Sequence, residues 1–494
     1  MADPLAELIE KLKTVDENKL SASLRSISPD DGKYASDSDK LRDYLSADAE
    51  WKTCAYIQYL LLKTRYEFDI KSKEEGKIKK NYVTEEQVNK LKEVLSSAKT
   101  TNMNLLEDIL RHDQLAVIEE LGRVAGQEIK SLLHPGTTSY DVLDTARSYL
   151  IKESWFKVVR NQIKETIDKL CNLSERTMDV IMVGRTHLQH TSPVTFGFFL
   201  SSYAARLADR MKLCDQYFGD LRGKISGIVG TGAGIEQCVG CDSLEFEKKL
   251  LFNLGLEPDY TATQIVMKER LADVGHGLVS LARVLGDFAN DMRILYSSDI
   301  NEVTSMSNSK KLGLSSTDAN KNNPVNWENI AGTIPVIESG MRVLYELIQS
   351  DLQRDLRGSV QARYQPHGMI AETYRIFKKA SNAIDDIGLV NDSIEKNLAN
   401  VRNNPSEATV TILRGEGFIH SKLGVGHKFV TEMSIKVRKN KSKLVDESLK
   451  DEEFKSMYES LPETKKRILN GELELYLGCA KQKTLMNINY ARKA

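Results

Sequence analysis

Apolar residues along this chain recur mainly at steps of three and four, the spacing of one face of an α-helix. The clearest pattern predicts a long helix from about Met267 to Tyr296, packed lengthwise in a bundle. Its apolar seam consists of Leu271, Val274, Leu278, Leu281, Leu285, Phe288, Met292 and Leu295. A second helix is predicted from Phe198 to Phe218, with a seam of Leu200, Ala204, Leu207, Met211, Cys214 and Phe218.

Strand-like alternation is scarce, and the best short case runs from Ala408 to Leu413. The chain has only 10 prolines in 494 residues, which favours long helices because an interior proline removes a backbone hydrogen bond. We therefore expect an all-α fold in three domains. These are an N-terminal helical domain over 1–134, a central long-helix bundle over 135–375 and a C-terminal helical domain over 376–494.

The overall charge and composition exclude several classes of protein. Lys and Arg number 69 and Asp and Glu number 70, so the chain lacks the basic surplus typical of nucleic-acid binding. No apolar run reaches the roughly 20 residues that a membrane span needs, and the charged start lacks the apolar core of a secretory signal. Six cysteines in so long a chain fit a reducing compartment. We expect a soluble cytoplasmic protein without nucleic-acid or membrane partners.

Two short motifs are weak candidates for ligand sites. Cys238 and Cys241 form a single CxxC with no second pair or nearby histidine, so we expect them to be structural and predict no metal site. The glycine-rich segment 227–234 follows a predicted helix and not a strand, unlike a phosphate-binding loop. We therefore predict no cofactor.

Polar segments between the predicted helices concentrate the side chains that could carry chemistry. Arg111, His112 and Asp113 are adjacent, although such a group is more often a surface feature. Thr138 and Ser139 precede a helix, where they would cap it or help bind an anion. The segment 184–195, which contains Thr186, His187, Gln189 and His190, is expected to be a loop leading into a helix.

The segment 313–329 is the most informative of these. It combines two hydroxyls, a lysine, several amides and an acid in a stretch without an apolar anchor before Val325. Such a composition predicts a mobile loop that could close over an anionic ligand and stabilise its charge. A plain surface loop would have a similar composition.

These segments, in this order, resemble the motif blocks of the fumarase/aspartase superfamily. SSTDANKNNPVNWEN (315–329) is similar to its signature loop SSxMPxKxNPxxxEN, without gaps. TSYDVLDTA (138–146) and THLQ followed by PVTFG (186–197) resemble two further blocks. The resemblance implies a lyase that releases fumarate, and a homotetramer whose long helices form a multi-subunit core with shared active sites.

Four features resemble the adenylosuccinate lyase family in particular. They are RHD (111–113), SPDDGKY (28–34), YTATQI (260–265) and LQRDLRGSVQAR (352–363). The resemblance implies β-elimination of fumarate from adenylosuccinate to give AMP, and from the related succinyl-carboxamide ribotide. Carboxymuconate-lactonising enzymes share two of the blocks and are the main alternative within the superfamily. A catalytically silent paralogue is the alternative of another class.

The resemblance also implies roles for individual residues. Ser315 would be the base, Lys321 would stabilise negative charge, and either His187 or His112 would be the acid. The residues implied in binding the nucleotide substrate are Lys33, Tyr34, Arg111, Asp113, Thr138, Ser139, Gln264, Asn323, Glu328, Arg354, Ser359 and Arg363.

The chain departs from the family pattern in three places. Leu314 replaces a glycine before the two serines, and Lys33 replaces an arginine, which keeps the charge but loses the bidentate fork. Asp318 and Ala319 replace Met-Pro. Asp318 adds a negative charge near the implied base, which points to an altered substrate, to weak activity, or to a side chain directed outward.

Overall fold

The computed structural model describes residues 25–76, 81–306, 317 and 321–494. Helix makes up 68 % of the structure and strand 6 %, which confirms the expected all-α class. The signature loop is described at residue 317 and from 321 onward. Ser315, Leu314, Asp318 and Ala319 therefore lie outside the described residues.

The α-helices of the described residues follow one another along the chain in the order given next. In the first half they are α1 (Arg42–Leu45), α2 (Ala47–Glu74), α3 (Glu85–Val94), α4 (Thr100–Leu110), α5 (Asp113–Ala125), α6 (Gln127–Lys130), α7 (Ser139–Ser154), α8 (Arg160–Arg176), α9 (Phe196–Gly219), α10 (Ala233–Val239) and α11 (Ser243–Phe252). In the second half they are α12 (Glu269–Leu295), α13 (Val325–Ile348), α14 (Arg357–Gln361), α15 (His367–Asp385), α16 (Asn391–Asn403), α17 (Ser406–Gly415), α18 (Gly426–Asn440), α19 (Leu444–Ser448), α20 (Glu452–Ser460), α21 (Glu463–Leu469) and α22 (Ala480–Arg492).

The strands of the described residues form two-stranded ladders. Antiparallel pairs join β1 (Ile181–Thr186) to β2 (Gln189–Thr195), β5 (Val303–Ser305) to β6 (Ile387–Leu389), and β7 (Ile419–His420) to β8 (Gly424–Val425). The pair of β3 (Arg222–Gly223) and β4 (Glu257–Pro258) is parallel. The predicted strand at 408–413 is wrong, because this segment lies in α17. Its buried residues Ala408, Thr409, Ile412 and Leu413 have helical spacing.

Both long helices predicted from the apolar seams are confirmed. α12 spans Glu269–Leu295 and α9 spans Phe196–Gly219. Every seam residue of α9 is buried, and so are those of α12 from Val274 to Leu295. The hydrophobic pattern therefore placed both helices correctly and identified their buried faces.

The chain divides into two compact units that are each discontinuous in sequence. Unit 1 comprises the described residues up to Ile163 together with Met211–Ala282 and Thr333–Lys378. Unit 2 comprises the described residues of Lys164–Arg210, Arg283–Gly332 and Lys379–Ala494. The division into three consecutive domains remains a prediction.

Each unit has its own apolar core. In unit 1 one cluster packs α2 against α5, α7 and α11, through side chains such as Leu61, Leu121, Val142 and Leu250. In unit 2 one cluster joins α17 to α18 and α20 around Phe429 and Phe454, whose rings stack 5.3 Å apart. A smaller cluster packs Val183 of the β1–β2 hairpin against α16.

Candidate active site

The start of α7 in unit 1 carries the predicted ligand-binding residues Thr138 and Ser139. The Thr138 N–H donates to Asp141 Oδ2 at 2.6 Å, so the polar residues cap the helix as expected. The remaining amides of the first turn and the helix dipole make this end suited to a carboxylate or phosphate.

A buried ion pair holds this helix start against the glycine-rich segment 226–234. Asp141 and Lys224 are both fully buried and form an ion pair. Asp141 also accepts hydrogen bonds from the N–H groups of Ser226 at 2.9 Å and Gly227 at 3.1 Å. Glycine is required at Gly136, because a Cβ there would lie 2.4 Å from the Gly234 carbonyl carbon. The glycine-rich segment thus has a structural role here.

His112 caps α5 and contacts the start of α7. Its Nδ1 accepts a hydrogen bond from the Leu115 N–H at 3.2 Å. A backbone N–H can only donate, so the neutral ring carries its proton on Nε2. That nitrogen lies 3.3 Å from Ser139 Oγ. The structure therefore brings His112 and Ser139, two of the implied site residues, into contact.

His134 is a polar residue of this region that the sequence analysis passed over. The Gln58 side chain brackets it, since Gln58 Nε2 donates to His134 Nδ1 at 2.9 Å and Gln58 Oε1 accepts from the His134 N–H at 3.1 Å. Burial lowers the pKa of His134 and favours its neutral form. The sequence offered one signal for this residue: it stands two positions before Gly136, in the same polar segment as Thr138.

A second cluster in unit 1 surrounds Arg354. Its guanidinium donates to Gln264 Oε1 at 3.1 Å and to Ser359 Oγ at 3.0 Å. It also lies 3.6 Å from the centre of the Tyr140 ring, a cation–π contact. The Tyr140 hydroxyl in turn lies 2.6 Å from Ser359 Oγ. Three predicted residues are thus brought together, and Tyr140, inside the TSYDVLDTA block, was missed.

The early segment implied in phosphate binding is folded as a turn. The Tyr34 N–H donates to the Pro29 carbonyl at 2.9 Å, and the Tyr34 ring lies 4.1 Å from the Arg375 guanidinium. Burial and neighbouring Glu372 raise the pKa of Asp30 to about 6.

Lys33 is exposed, as are Arg111 and Arg363. Arg111 has the left-handed conformation at the end of α4, and Asp113 Oδ1 accepts from the Gln114 N–H.

His187 lies at the tip of a β-hairpin in unit 2, where the sequence analysis expected a loop. Thr186 pairs with Gln189, and the two residues between them, His187 and Leu188, have φ values of 52° and 59°. Two consecutive positive φ values are those of a type I′ hairpin turn, which matches strand twist. α9 begins directly after β2. The predicted start of a helix is therefore confirmed, whereas the predicted loop before it is a β-hairpin. The turn presents the exposed His187 to solvent.

The described part of the signature loop also lies in unit 2. Lys321 is exposed and has no hydrogen-bond or ion-pair partner among the residues that the structure describes. Asn322 Nδ2 donates to the Tyr296 hydroxyl at 3.1 Å, and Asn323 lines a cleft with Ser305 and Asp386. Glu328 is exposed in the first turn of α13. The predicted residues are therefore distributed between the two units.

Comparison with known proteins gives the family. A family model described as "Lyase" matches residues 59–337, more than half of the chain. The adenylosuccinate lyase of Pyrococcus abyssi is 30 % identical over 70 % of this chain and 76 % of that protein. The chain belongs to the lyase family, in its adenylosuccinate lyase branch. The adenylosuccinate lyase of Archaeoglobus fulgidus is 28 % identical over 82 % of this chain and 88 % of its own length.

Solved structures of this superfamily share the fold. A fumarate lyase from Mesorhizobium sp. BNC1 superposes with a TM-score of 0.74 at 22 % identity, covering 91 % of this chain and 97 % of its own. The 3-carboxy-cis,cis-muconate lactonizing enzyme from Pseudomonas putida gives 0.76 at 18 % identity, covering 92 % and 97 %. At these identities the likeness supports the lyase fold alone. No described helix is long and apolar enough to cross a membrane.

Proposed function

We propose that this lyase cleaves adenylosuccinate into fumarate and AMP, and that it acts likewise on the succinyl-carboxamide ribotide of purine synthesis. The observation that carries the proposal is the cluster around Arg354. A guanidinium stacked on Tyr140 and hydrogen-bonded to Gln264 and Ser359 is a rigid cation suited to the phosphate of a nucleotide. A small dicarboxylic acid would offer no phosphate for this cation to bind, whereas a nucleotide would.

The elimination requires a base, an acid and a way to stabilise negative charge. Ser315 would take the proton from the succinyl β-carbon. The electron pair forms the new C=C bond as the C–N bond breaks, and an acid protonates the departing nitrogen. Lys321 and Asn323 would stabilise the carbanionic carboxylate formed on the way. The start of α7, with Thr138 and Ser139, would bind a succinyl carboxylate.

We assign the acid to His187. His112 accepts from the Leu115 N–H through Nδ1, and its Nε2 lies beside Ser139 Oγ, so both of its ring nitrogens are already engaged within the chain. His187 has no hydrogen-bond partner among the described residues and stands exposed on its turn. Both of its ring nitrogens are therefore available to contact a substrate. His112 would instead orient Ser139 and the substrate.

The remaining predicted residues would bind the nucleotide end or support the loop. Lys33, Tyr34 and Arg363 would accompany Arg354 at the phosphate, and Arg111 and Asp113 would contact the nucleotide beside His112. Glu328, in the first turn of α13, would sit close to the catalytic loop. The elimination breaks one C–N bond and moves protons without any net oxidation or reduction, so no cofactor or metal is part of the proposal.

We also propose that the enzyme is a cytoplasmic homotetramer with sites shared between subunits. Several apolar side chains near the end of α13 and beyond it are exposed in the single chain, including Tyr345, Leu352, Leu356 and Tyr364. Large exposed apolar side chains are typical of surfaces that associate when they occur together. These lie within about ten residues of Arg354 along the chain.

Paired substrates test the proposed reaction. The unmodified protein should convert adenylosuccinate, followed by ultraviolet absorbance, and should leave 3-carboxymuconate unchanged. Ser315→Ala should abolish the conversion. Turnover of the muconate without turnover of adenylosuccinate would favour the lactonising alternative, and turnover of neither would favour a silent paralogue.

A further inference from the structure

Asp144, on the same face of α7 as Tyr140, holds the segment that carries Gln264. Its Oδ2 accepts from the Lys268 ammonium at 2.7 Å and from the Val266 N–H at 3.0 Å. Asp144 is 2 % and Lys268 7 % exposed. Burial lowers the pKa of Lys268, while the Asp144 carboxylate opposes that shift. The pair therefore fixes residues 266 and 268 to the helix inside unit 1.

The other end of the same segment is tied to the residues beside Arg354. The Thr263 hydroxyl donates to the Gln353 carbonyl at 2.6 Å, and the Gln264 N–H donates to it at 3.4 Å. The Gln264 side chain accepts from Arg354. Residues 263–268 thus connect α7 on one side with the 353–359 segment on the other.

Arg354 closes this chain of contacts into a ring. Its guanidinium stacks on Tyr140, which stands four residues before Asp144 and therefore on the same helix face. The ring runs from Asp144 through Val266 and Gln264 to Arg354 and back through Tyr140. Lys268 and Arg354 also line the same small cleft. A shift of residues 264–268 would therefore move the acceptor that orients Arg354.

We propose that Asp144 and Lys268 are positioning residues that, through Gln264, set the orientation of Arg354 and with it the affinity for the phosphate end of the nucleotide. This inference rests on the proposed function. Among the contacts that the structure describes, neither residue touches the hairpin that carries His187 or the described part of the signature loop. Their loss should therefore weaken nucleotide binding and leave the chemical step nearly unchanged.

The test uses Lys268→Met, with Asp144→Asn as a second variant that keeps an acceptor for the Val266 amide. Asp69→Asn is the matched control. Asp69 is also buried, accepts from the Val83 N–H at 2.9 Å and lies 3.7 Å from Arg65 Nε. It stands outside the ring, so its loss should lower stability without changing nucleotide affinity.

The readouts are the Kd for AMP by calorimetry and the steady-state constants for adenylosuccinate. We expect Kd and KM to rise about tenfold, which corresponds to about 1.4 kcal/mol, with kcat within about threefold of the unmodified enzyme. An unchanged AMP affinity in a folded Lys268→Met or Asp144→Asn protein would overturn the inference. An equal rise in Asp69→Asn would also overturn it. Failure of the unmodified protein to bind AMP or cleave adenylosuccinate would instead refute the proposed function.

Discussion

Replacing Lys224 by methionine tests how the start of α7 is held. The ammonium of Lys224 is fully buried against Asp141 and also donates to the Gly227 carbonyl at 3.0 Å. Methionine fills nearly the same volume, so the change removes charge and hydrogen bonds with little effect on packing. Asp141 then remains as a buried carboxylate without its cation.

The magnitude follows from what remains around Asp141. Breaking a buried ion pair from one side costs about 3–5 kcal/mol. The N–H groups of Thr138, Ser226 and Gly227 continue to donate to the carboxylate, so the expected loss is about 4 kcal/mol. The double variant Asp141→Asn with Lys224→Met leaves no buried charge. It should lose about 2 kcal/mol. The Thr138 N–H loses its acceptor when an amide nitrogen replaces Oδ2, and the Gly227 carbonyl loses its donor, the Lys224 ammonium.

Urea unfolding followed by far-ultraviolet circular dichroism measures these differences. The expected order of stability is the unmodified protein, then the double variant, then Lys224→Met. A Lys224→Met protein within about 1 kcal/mol of the unmodified one, or a double variant less stable than the single one, would refute the electrostatic account of this helix start.

Three further changes have defined outcomes. His187→Asn retains a residue that tolerates positive φ and should lower kcat about 100- to 10,000-fold, as loss of an acid does; an unchanged kcat would exclude His187 as the acid. Burial lowers the pKa of His367 from 6.5 to about 4, so its contribution to stability is complete above pH 6.5 and is lost as the pH falls through about 4. His367→Gln should make the melting temperature fall less steeply between pH 6.5 and about pH 4. An equally steep fall would contradict the lowered pKa of His367. Mixed and reassembled Ser315→Ala and His187→Asn proteins should regain part of the activity if sites are shared between subunits; inactive mixed tetramers would count against sharing.

The long helices could be predicted from sequence because their apolar periodicity is long and regular. The seams of α9 and α12 each span several turns, so a single misplaced polar residue does not hide the pattern. The segment 408–413 lacked that length. Over six residues, alternation by two and spacing by three and four are difficult to distinguish, and the buried Ile412 and Leu413 belong to a helix.

The hairpin at His187 could not be predicted from local chemistry. A type I′ turn usually has glycine, asparagine or aspartate at its central positions, whereas this one has His187 and Leu188. The pairing of β1 and β2, with Val183 packed against α16 in unit 2, maintains the turn. Tertiary packing thus outweighs the preference of the turn residues.

The contacts within the candidate site could not be predicted from sequence either, because they too depend on tertiary packing. Block motifs imply that Thr138, Gln264, Arg354 and Ser359 belong to one site, but they do not say which side chains meet. The contact of Arg354 with Tyr140 joins residues more than two hundred positions apart. Lys224 was not singled out because a lone lysine in sequence does not reveal a buried aspartate partner. Such pairings depend on the folded arrangement.

Product analysis with adenylosuccinate tests whether this chain cleaves that nucleotide. The unmodified protein should release fumarate and AMP in equal amounts as adenylosuccinate disappears, both measured by chromatography of a single time course. Ser315→Ala should release neither. Disappearance of adenylosuccinate without equal amounts of the two products, or no disappearance at all, would contradict the assignment of this chain as an adenylosuccinate-cleaving lyase.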